Sequence, residues 1–265
     1  MSFDRFERII DSFLEREKKE KDREIFKIRQ HVFDERTVRN MLSLFNRGII
    51  TDFNWIISMG KEAAILSGIG QQGEIAIKIY KYVSSFRRHL DYMVGDRRFP
   101  SSPRKIIEMW ARKEYRNLMR MKKADVRVPE PYGVSGNVLV MQLIGSDGIP
   151  APHLREAELE NPELVLKMIL DDVKKAYYKA RLVHADLSEY NILYWKSLPW
   201  IIDLSHAVVV DHPMADELLR RDIQNIVRFF QKRYGVSLPG DYVAGDLDKD
   251  TEGEDRASSG EIGRD

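Results

Sequence analysis

The chain has 265 residues, 43% hydrophobic and 10% aromatic, enough for one large core or two lobes and unlike a disordered chain. Lysine and arginine (43) nearly cancel aspartate and glutamate (42), so the formal charge of +1 excludes any global attraction to nucleic acid or anionic lipid. The absence of cysteine excludes disulfides, thiolate metal sites and cysteine nucleophiles.

The N-terminal stretch MSFDRFERIIDSFLEREKKEKDRE has no uninterrupted apolar run. Neither a signal peptide nor a membrane span is expected, and the cytoplasm is the default address. Phe3, Phe6, Ile10 and Phe13 fall at helical spacing, which predicts an amphipathic helix whose charged continuation runs into solvent. A second helix is expected from Asp34, a good N-cap, burying Val38, Met41, Leu42 and Phe45 and stopping near Gly48.

From Ile49 to Tyr80, β-forming residues, glycines and a Gln-Gln-Gly turn predict antiparallel strands with tight connections. NVLVMQLIG (137–145) reads as a further strand. SPRKIIEMWARKEYRNLMRMKK and NPELVLKMILDDVKKAYYKARLV read as helices, the second with Val165, Ile169, Val173, Ala176 and Ala180 down one side. NILYW-KSLP-WIIDLS has the form of a short hairpin, and HPMADELLRRDIQNIVRFFQKRYG that of a closing helix ending at Gly235. Beyond Pro239 there is little to bury, so a mobile tail is expected.

A strand-rich half followed by a helix-rich half predicts an α+β fold of two lobes with a cleft between them. The expected divisions are an N-terminal helical extension (1–48), an N-lobe (49–141), a C-lobe (142–237) and a tail (238–265).

The segment LVHADLSEYNILYW packs Asp186, Glu189 and Asn191 between apolar runs, where each polar group needs a partner. Asn191 follows Asp186 by five positions, and Asp203 stands twelve beyond that, at the end of WIID. Carboxylate and amide oxygens without histidine or cysteine suit Mg²⁺ or Mn²⁺ held together with substrate phosphates. An H-x-D-x-x-x-x-N loop with a later Asp after apolar residues matches the kinase arrangement, in which the first Asp orients the attacking hydroxyl while Asn and the second Asp hold metal. The competing reading is a turn rich in polar caps, which the matched Asp203 disfavours. His184 reads as a scaffold residue bonding backbone, since Asp186 already fills the role of base.

In EIAIKIY, alternation puts Ala76 and Lys78 on one face and Ile75, Ile77 and Ile79 on the other. A strand lysine beside a small residue is how kinases reach the α/β-phosphates, although a lone strand lysine is more often a solvent-facing residue. The following helix argues for the first reading. Ile107, Trp110, Ala111, Leu118 and Met121 form its buried stripe, Glu114 sits in the middle of it, and a carboxylate there requires a cation. Glu114 is therefore expected to pair with Lys78, and Glu108, one turn before Arg112, to lie on the surface. SMGKEAAILSG offers Ser58, Gly60, Lys61 and Glu62 as a phosphate cradle, or an ordinary charged turn.

These segments together resemble the RIO family of atypical serine protein kinases and ATPases, from about Phe33 to Gly235. SMGKEAAIL resembles the family's phosphate loop, IAIKIYK its lysine strand and WARKEYRNL its glutamate helix. LVHADLSEYNILY and IIDLSHAVVVDHPMA are close to its catalytic and metal-binding segments. The N-terminal part shows no winged-helix pattern, which points to the branch without that domain.

The resemblance implies a bilobal protein-kinase-like fold and ATP held at a hinge after Met141 through backbone groups of Gln142 and Ile144. It also implies Mg²⁺ on Asn191 and Asp203, Asp186 as catalytic acid-base residue, and a phospho-aspartate at Asp203. ATP hydrolysis would then accompany serine phosphorylation, and the expected setting is maturation of the small ribosomal subunit. LSHA follows Asp203 where ordinary kinases have Phe-Gly, and Ala-Pro-Glu is missing. This favours autophosphorylation, ATPase action or a large docked substrate over extended peptides.

Residues 81–105 carry seven Lys/Arg, among them Arg87, Arg88, Arg97 and Arg98, against Asp91 and Asp96. That is either a solvated loop or a basic flap able to touch rRNA, and the second is preferred. Ser84, Ser85, Ser101 and Ser102 are candidate self-phosphorylation sites. The alternatives are a small-molecule kinase of the antibiotic or choline type, which shares the H-x-D-x-x-x-x-N loop, and a non-catalytic ATP-sensing assembly factor on the small-subunit precursor.

Overall fold

The computed structural model describes residues 1–17, 32–82 and 103–236. Two helices come first, α1 (Phe3–Glu17) and α2 (Glu35–Asn46). Asp34 caps α2 as expected, its Oδ1 accepting from Thr37 N at 2.7 Å. Gly48, at φ +72°, turns the chain just past the helix end, a conformation that costs other residues steric strain.

Strands β1 (Asp52–Met59), β2 (Ala63–Gly70) and β3 (Gly73–Tyr80) form the expected antiparallel meander. Helix α3 (Pro103–Lys123) follows, then β4 (Pro131–Ser135) and β5 (Val138–Gln142). The sheet order is β1-β2-β3-β5-β4, every neighbour antiparallel. The strand expected over 137–145 ends at Gln142, because Gly145 and the two-residue strands β6 (Gly145–Ser146) and β7 (Ile149–Pro150) turn the chain back.

The second half holds α4 (Pro162–Tyr178), capped by Asn161 with proline in the first turn. The short strand β8 (Leu182–Val183) leads into the polar loop. The expected hairpin is β9 (Ile192–Trp195) and β10 (Leu198–Ile201), with Lys196 and Ser197 both at positive φ between them. Strand β11 (Val208–Val209) pairs back onto β8, and α5 (Ala215–Tyr234) ends at Gly235 in the left-handed C-cap.

Among the described residues the two largest cores lie on opposite faces of the central sheet. Ile75, Ile77 and Ile79 are fully buried with Phe6, Phe13, Met41 and Phe53 on one face. Ala76, Leu139 and Met141 on the other face join the core built by α3, α4, α5 and the hairpin. The amphipathic helix expected from Phe3, Phe6, Ile10 and Phe13 is α1, whose Phe6, Ile10, Phe13 and Leu14 are buried in the core shared with α2 and the sheet, while the charged stretch after Glu17 lies outside the described residues. In α2, Val38 and Met41 are buried as expected and Leu44 joins them, while Leu42 and Phe45 are only partly covered.

Of the basic segment, only Lys81, Tyr82 and Pro103–Lys105 are described. Ser84, Ser85, Ser101 and Ser102, and the tail from Ser237, lie outside the described residues. Among the described residues no helix is long and apolar enough to cross a membrane.

Candidate active site

Strand β3 presents Lys78 and Tyr80 from the face opposite its isoleucines, toward α3 and the loop after β10. Lys78 Nζ lies 3.0 Å from Glu114 and 2.8 Å from Asp203 Oδ1. Both Lys78 and Glu114 are almost inaccessible to solvent, whereas the Asp203 side chain keeps 40% of its surface open. The Tyr80 hydroxyl donates to Glu114 Oε2, and Ser205 Oγ donates to Asp203 Oδ1 at 2.6 Å. One ammonium therefore serves two carboxylates, which leaves a net negative charge at the open side of the triad.

Burial pushes the Lys78 ammonium down, but the carboxylates of Asp203 and Glu114 outweigh it and hold the pKa above the usual lysine range. Burial likewise pushes Asp203 up, and Lys78 together with the Ser205 hydrogen bond brings it well below the usual carboxylate range. Glu114 is raised by burial, against the opposing pull of Lys78.

A cleft of about 450 Å³ opens over this triad, lined by Ser58 of β1 and by Gly60 and Lys61 of the β1–β2 turn as well as Lys78, Asp203 and Ser205. The turn is tied to the end of β3, because Lys81 Nζ donates to Gly60 O at 2.7 Å and Lys81 N to Glu62 O at 2.8 Å. Lys61 in the turn and Ser58 near the end of β1 are both exposed.

Asp186 and Asn191 sit on the neighbouring loop between β8 and β9. Asn191 Nδ2 donates to the Asp186 carbonyl at 2.7 Å and reaches its Oδ2 at 3.3 Å. This directs the amide oxygen of Asn191 away from Asp186. Ile202 N bonds to Asn191 O at 2.9 Å, and His184 Nε2 contacts Ile202 O at 3.0 Å, so the loop is stitched to the residue before Asp203. His184 Nδ1 also accepts from Asp186 N at 3.3 Å, the backbone-bonding role expected of it.

Ala185 and Asp203 both adopt positive φ, +68° and +60°, which costs non-glycine residues energy and persists only where the surroundings over-determine it. For Ala185 the determinant is Asp222, buried in α5. Its oxygens accept from Ala185 N at 2.7 Å and Leu187 N at 3.0 Å, while Arg221 donates to Ala185 O. For the stretch after Asp203, α3 supplies Asn117, donating to Leu204 O at 2.9 Å, and Lys113, donating to Ser205 O at 3.0 Å.

At the hinge the structure narrows the expectation. Gln142 N donates to Glu130 O at 2.8 Å, so of its backbone groups only the carbonyl is left to a ligand. Ile144 O accepts from Ala151 N at 2.8 Å, and Ile144 N–H has no hydrogen-bond partner among the described residues. Met141 lies opposite Ala76 across the β3–β5 pair. These three do not line the cleft over Lys78, whereas Ser58, Gly60, Lys61, Lys78 and Asp203 do.

Glu108 does not lie free on the surface as expected. Its side chain is 13% exposed and pairs at 2.6 Å with Arg36 of α2, a tertiary partner that the helical repeat cannot show. Tyr80, Ser205, Lys113, Asn117 and Asp222 are site residues that the motifs did not single out. Two of them carried a signal. Tyr80 shares the face of Lys78, and Asp222 is a carboxylate amid the apolar stripe Leu218, Leu219, Ile223 and Ile226.

Asp203 and the Asn191 amide oxygen are hard donors beside net negative charge, a chemistry that fits a hard divalent cation.

Comparison with known proteins places this geometry in context. The RIO domain family matches residues 63–242. The RIO-type serine/threonine-protein kinase Rio1 of Haloferax volcanii is 39% identical over 244 residues, 89% of this chain and 83% of that protein. Its counterpart from Methanocaldococcus jannaschii is 38% identical, over 82% of this chain and 76% of that protein. The human serine/threonine-protein kinase RIO1 is 42% identical across 79% of this chain, which spans only 38% of that longer protein. Among solved structures, the Rio2 kinase–ADP/Mg²⁺–phosphoaspartate complex from Chaetomium thermophilum superposes with a TM-score of 0.63. It is 24% identical and covers 81% of this chain and 66% of its own.

Proposed function

Because the chain belongs to the RIO family of serine/threonine protein kinases, we propose that its cleft binds ATP with Mg²⁺ (or Mn²⁺) and transfers the γ-phosphoryl group to serine hydroxyls, its own included, and to water. The observation that carries this reading is the Lys78 ammonium held between Glu114 and Asp203 at the floor of the cleft. Such a lysine cannot wander, so its charge is positioned before a nucleotide arrives.

In this reading Lys78 holds the α/β-phosphates, Glu114 keeps it pointed inward, and Ser58, Gly60 and Lys61 close over the phosphate tail. Adenine is held at the hinge by the Gln142 carbonyl and the Ile144 N–H, with Met141 beside it. Asp186 accepts the proton of the attacking serine, and Asn191 Nδ2 holds Asp186 in place. Asn191 Oδ1 and Asp203 would hold the divalent ion, which would supply positive charge against the charge developing on the transferred phosphoryl group.

For hydrolysis, an oxygen of Asp203 attacks the γ-phosphorus and the bond to the β,γ-bridging oxygen breaks, so that ADP leaves. Water then cleaves the acyl phosphate to orthophosphate and restores the carboxylate. The resemblance to the RIO family supports this route, since a phosphoaspartate is present in the Rio2 complex. The setting we propose is the cytoplasm, on precursors of the small ribosomal subunit, with the basic segment 81–105 against rRNA.

The test is incubation with γ-labelled ATP, following label on protein serine and release of phosphate. Lys78→Ala and Asp203→Ala are each expected to lose at least about 100-fold, the scale of a lost charge contact in the transition state. Near-normal turnover in either variant removes that residue from its role. If Asp186→Ala and Asp203→Ala leave ATP consumption unchanged while sedimentation with small-subunit precursors persists, the protein is a nucleotide-sensing assembly factor instead.

A further inference from the structure

On the helix-rich half, beside the polar loop, a groove of about 650 Å³ runs between residues 188–190 and α5. Its walls carry four cations, Arg155, Arg228, Lys232 and Arg233, against one carboxylate, Glu189. All four cations are exposed, and among the described residues none pairs with a carboxylate. Lys232 and Arg233 could be explained by the negative end of the α5 dipole. Arg228 and Arg155 cannot, because one is well inside the helix and the other comes from the loop before α4.

The wall is also pre-shaped. Arg155 N donates to Glu189 O at 3.3 Å, and its guanidinium lies 4.9 Å from the ring centroid of Tyr190. Four cations against one carboxylate in a concave surface call for an anionic occupant.

We propose that this occupant is the chain's own C-terminal tail, residues 241–255, docked through its acidic side chains. That stretch carries seven Asp/Glu against the single Lys249. The described chain ends at Val236, three residues after Arg233 of the groove wall. Five further residues extend at most about 18 Å, enough for Asp241 to reach the groove and for the acids beyond it to follow the wall. Tethering makes docking intramolecular, with an effective concentration on the order of millimolar, so the tail outcompetes dilute acidic partners. The inference is independent of the chemistry proposed for the nucleotide cleft.

The absence of cysteine makes the test clean, because D248C is then the only thiol in the full chain. A benzophenone-maleimide label at that position is photolysed and its cross-links mapped by mass spectrometry. Cross-links within one chain should concentrate on 187–190 and 225–233. They should fall about tenfold or more in about 1 M salt, where screening removes exposed charge pairs, and equally in R228E/K232E. Both substitutions sit on an exposed helix face, and the salt series on D248C alone gives the same readout without them.

Cross-links scattered elsewhere, or found only between chains, overturn the proposal. So do groove cross-links indifferent to salt and to charge reversal. Binding of single-stranded oligouridylate that R228E/K232E abolishes, with no tail cross-links in the groove, assigns the groove to nucleic acid and likewise overturns it.

Discussion

Lys78 stands where stability and reactivity pull against each other. Two carboxylates on one buried ammonium are costly to desolvate, and apolar residues of similar volume would be as stable or more so. Removing the lysine alone strands Glu114, a fully buried carboxylate, and should cost about 3–5 kcal/mol of stability. The double replacement Lys78→Met/Glu114→Leu should recover most of that loss in chemical denaturation while phosphoryl transfer stays absent. Failure of the double variant to regain stability would mean that the pair is held for the fold rather than for a ligand.

Beside it, Lys113 offers a titration. Burial depresses its pKa from 10.5 to about 8, only partly opposed by Glu114. The folded state thus gives up this proton near pH 8 while the unfolded state keeps it to about 10.5, so the unfolded state binds more protons within that window. Folding stability carried by Lys113 should therefore rise with pH between those values. Measured as the difference from Lys113→Met, the stability of the native protein should climb from pH 8 to 10. A flat difference contradicts the depressed lysine.

Elements place these side chains, and α5 does so from a distance. Asp222 accepts from two backbone N–H groups of the loop that holds Ala185 at positive φ and carries Asp186. Asp222→Asn retains a single acceptor, so one buried N–H loses its partner at a cost of about 1–3 kcal/mol. Turnover should fall further than the affinity for ATP, because Asp222 touches the loop of the proposed base and not the cleft over Lys78. Equal loss of both, in steady-state kinetics over a range of ATP, would show a general loosening instead.

The pairing of Lys78 with Glu114 is readable from sequence because two periodicities, of two along β3 and of 3.6 along α3, each leave one charged residue on a buried face. The same reasoning applied to α5 leads to Asp222. Glu108 misleads for the opposite reason, since its partner Arg36 lies on another helix and no local repeat announces it. The hinge is legible as a place but not as a set of free groups, because Glu130 takes the N–H of Gln142 only once β4 has paired with β5.

At the scale of the whole molecule, one sheet faces two ways. Its isoleucine face closes a core with α1 and α2, and its Lys78 face meets α3 and the loops of the helical half. The division into strands and then helices is visible in residue order. What covers the apolar stripe of α1 is not, since Phe6, Ile10 and Phe13 read alike whether they meet a sheet or a partner.

Diffraction from crystals grown with a non-hydrolysable ATP analogue and Mn²⁺, with data collected at the manganese absorption edge, addresses the central geometry most directly. The anomalous peak should lie about 2.0–2.2 Å from oxygens of Asn191 and Asp203, with Lys78 on the phosphates. A manganese ion bound elsewhere, or a nucleotide out of reach of Lys78, would contradict it.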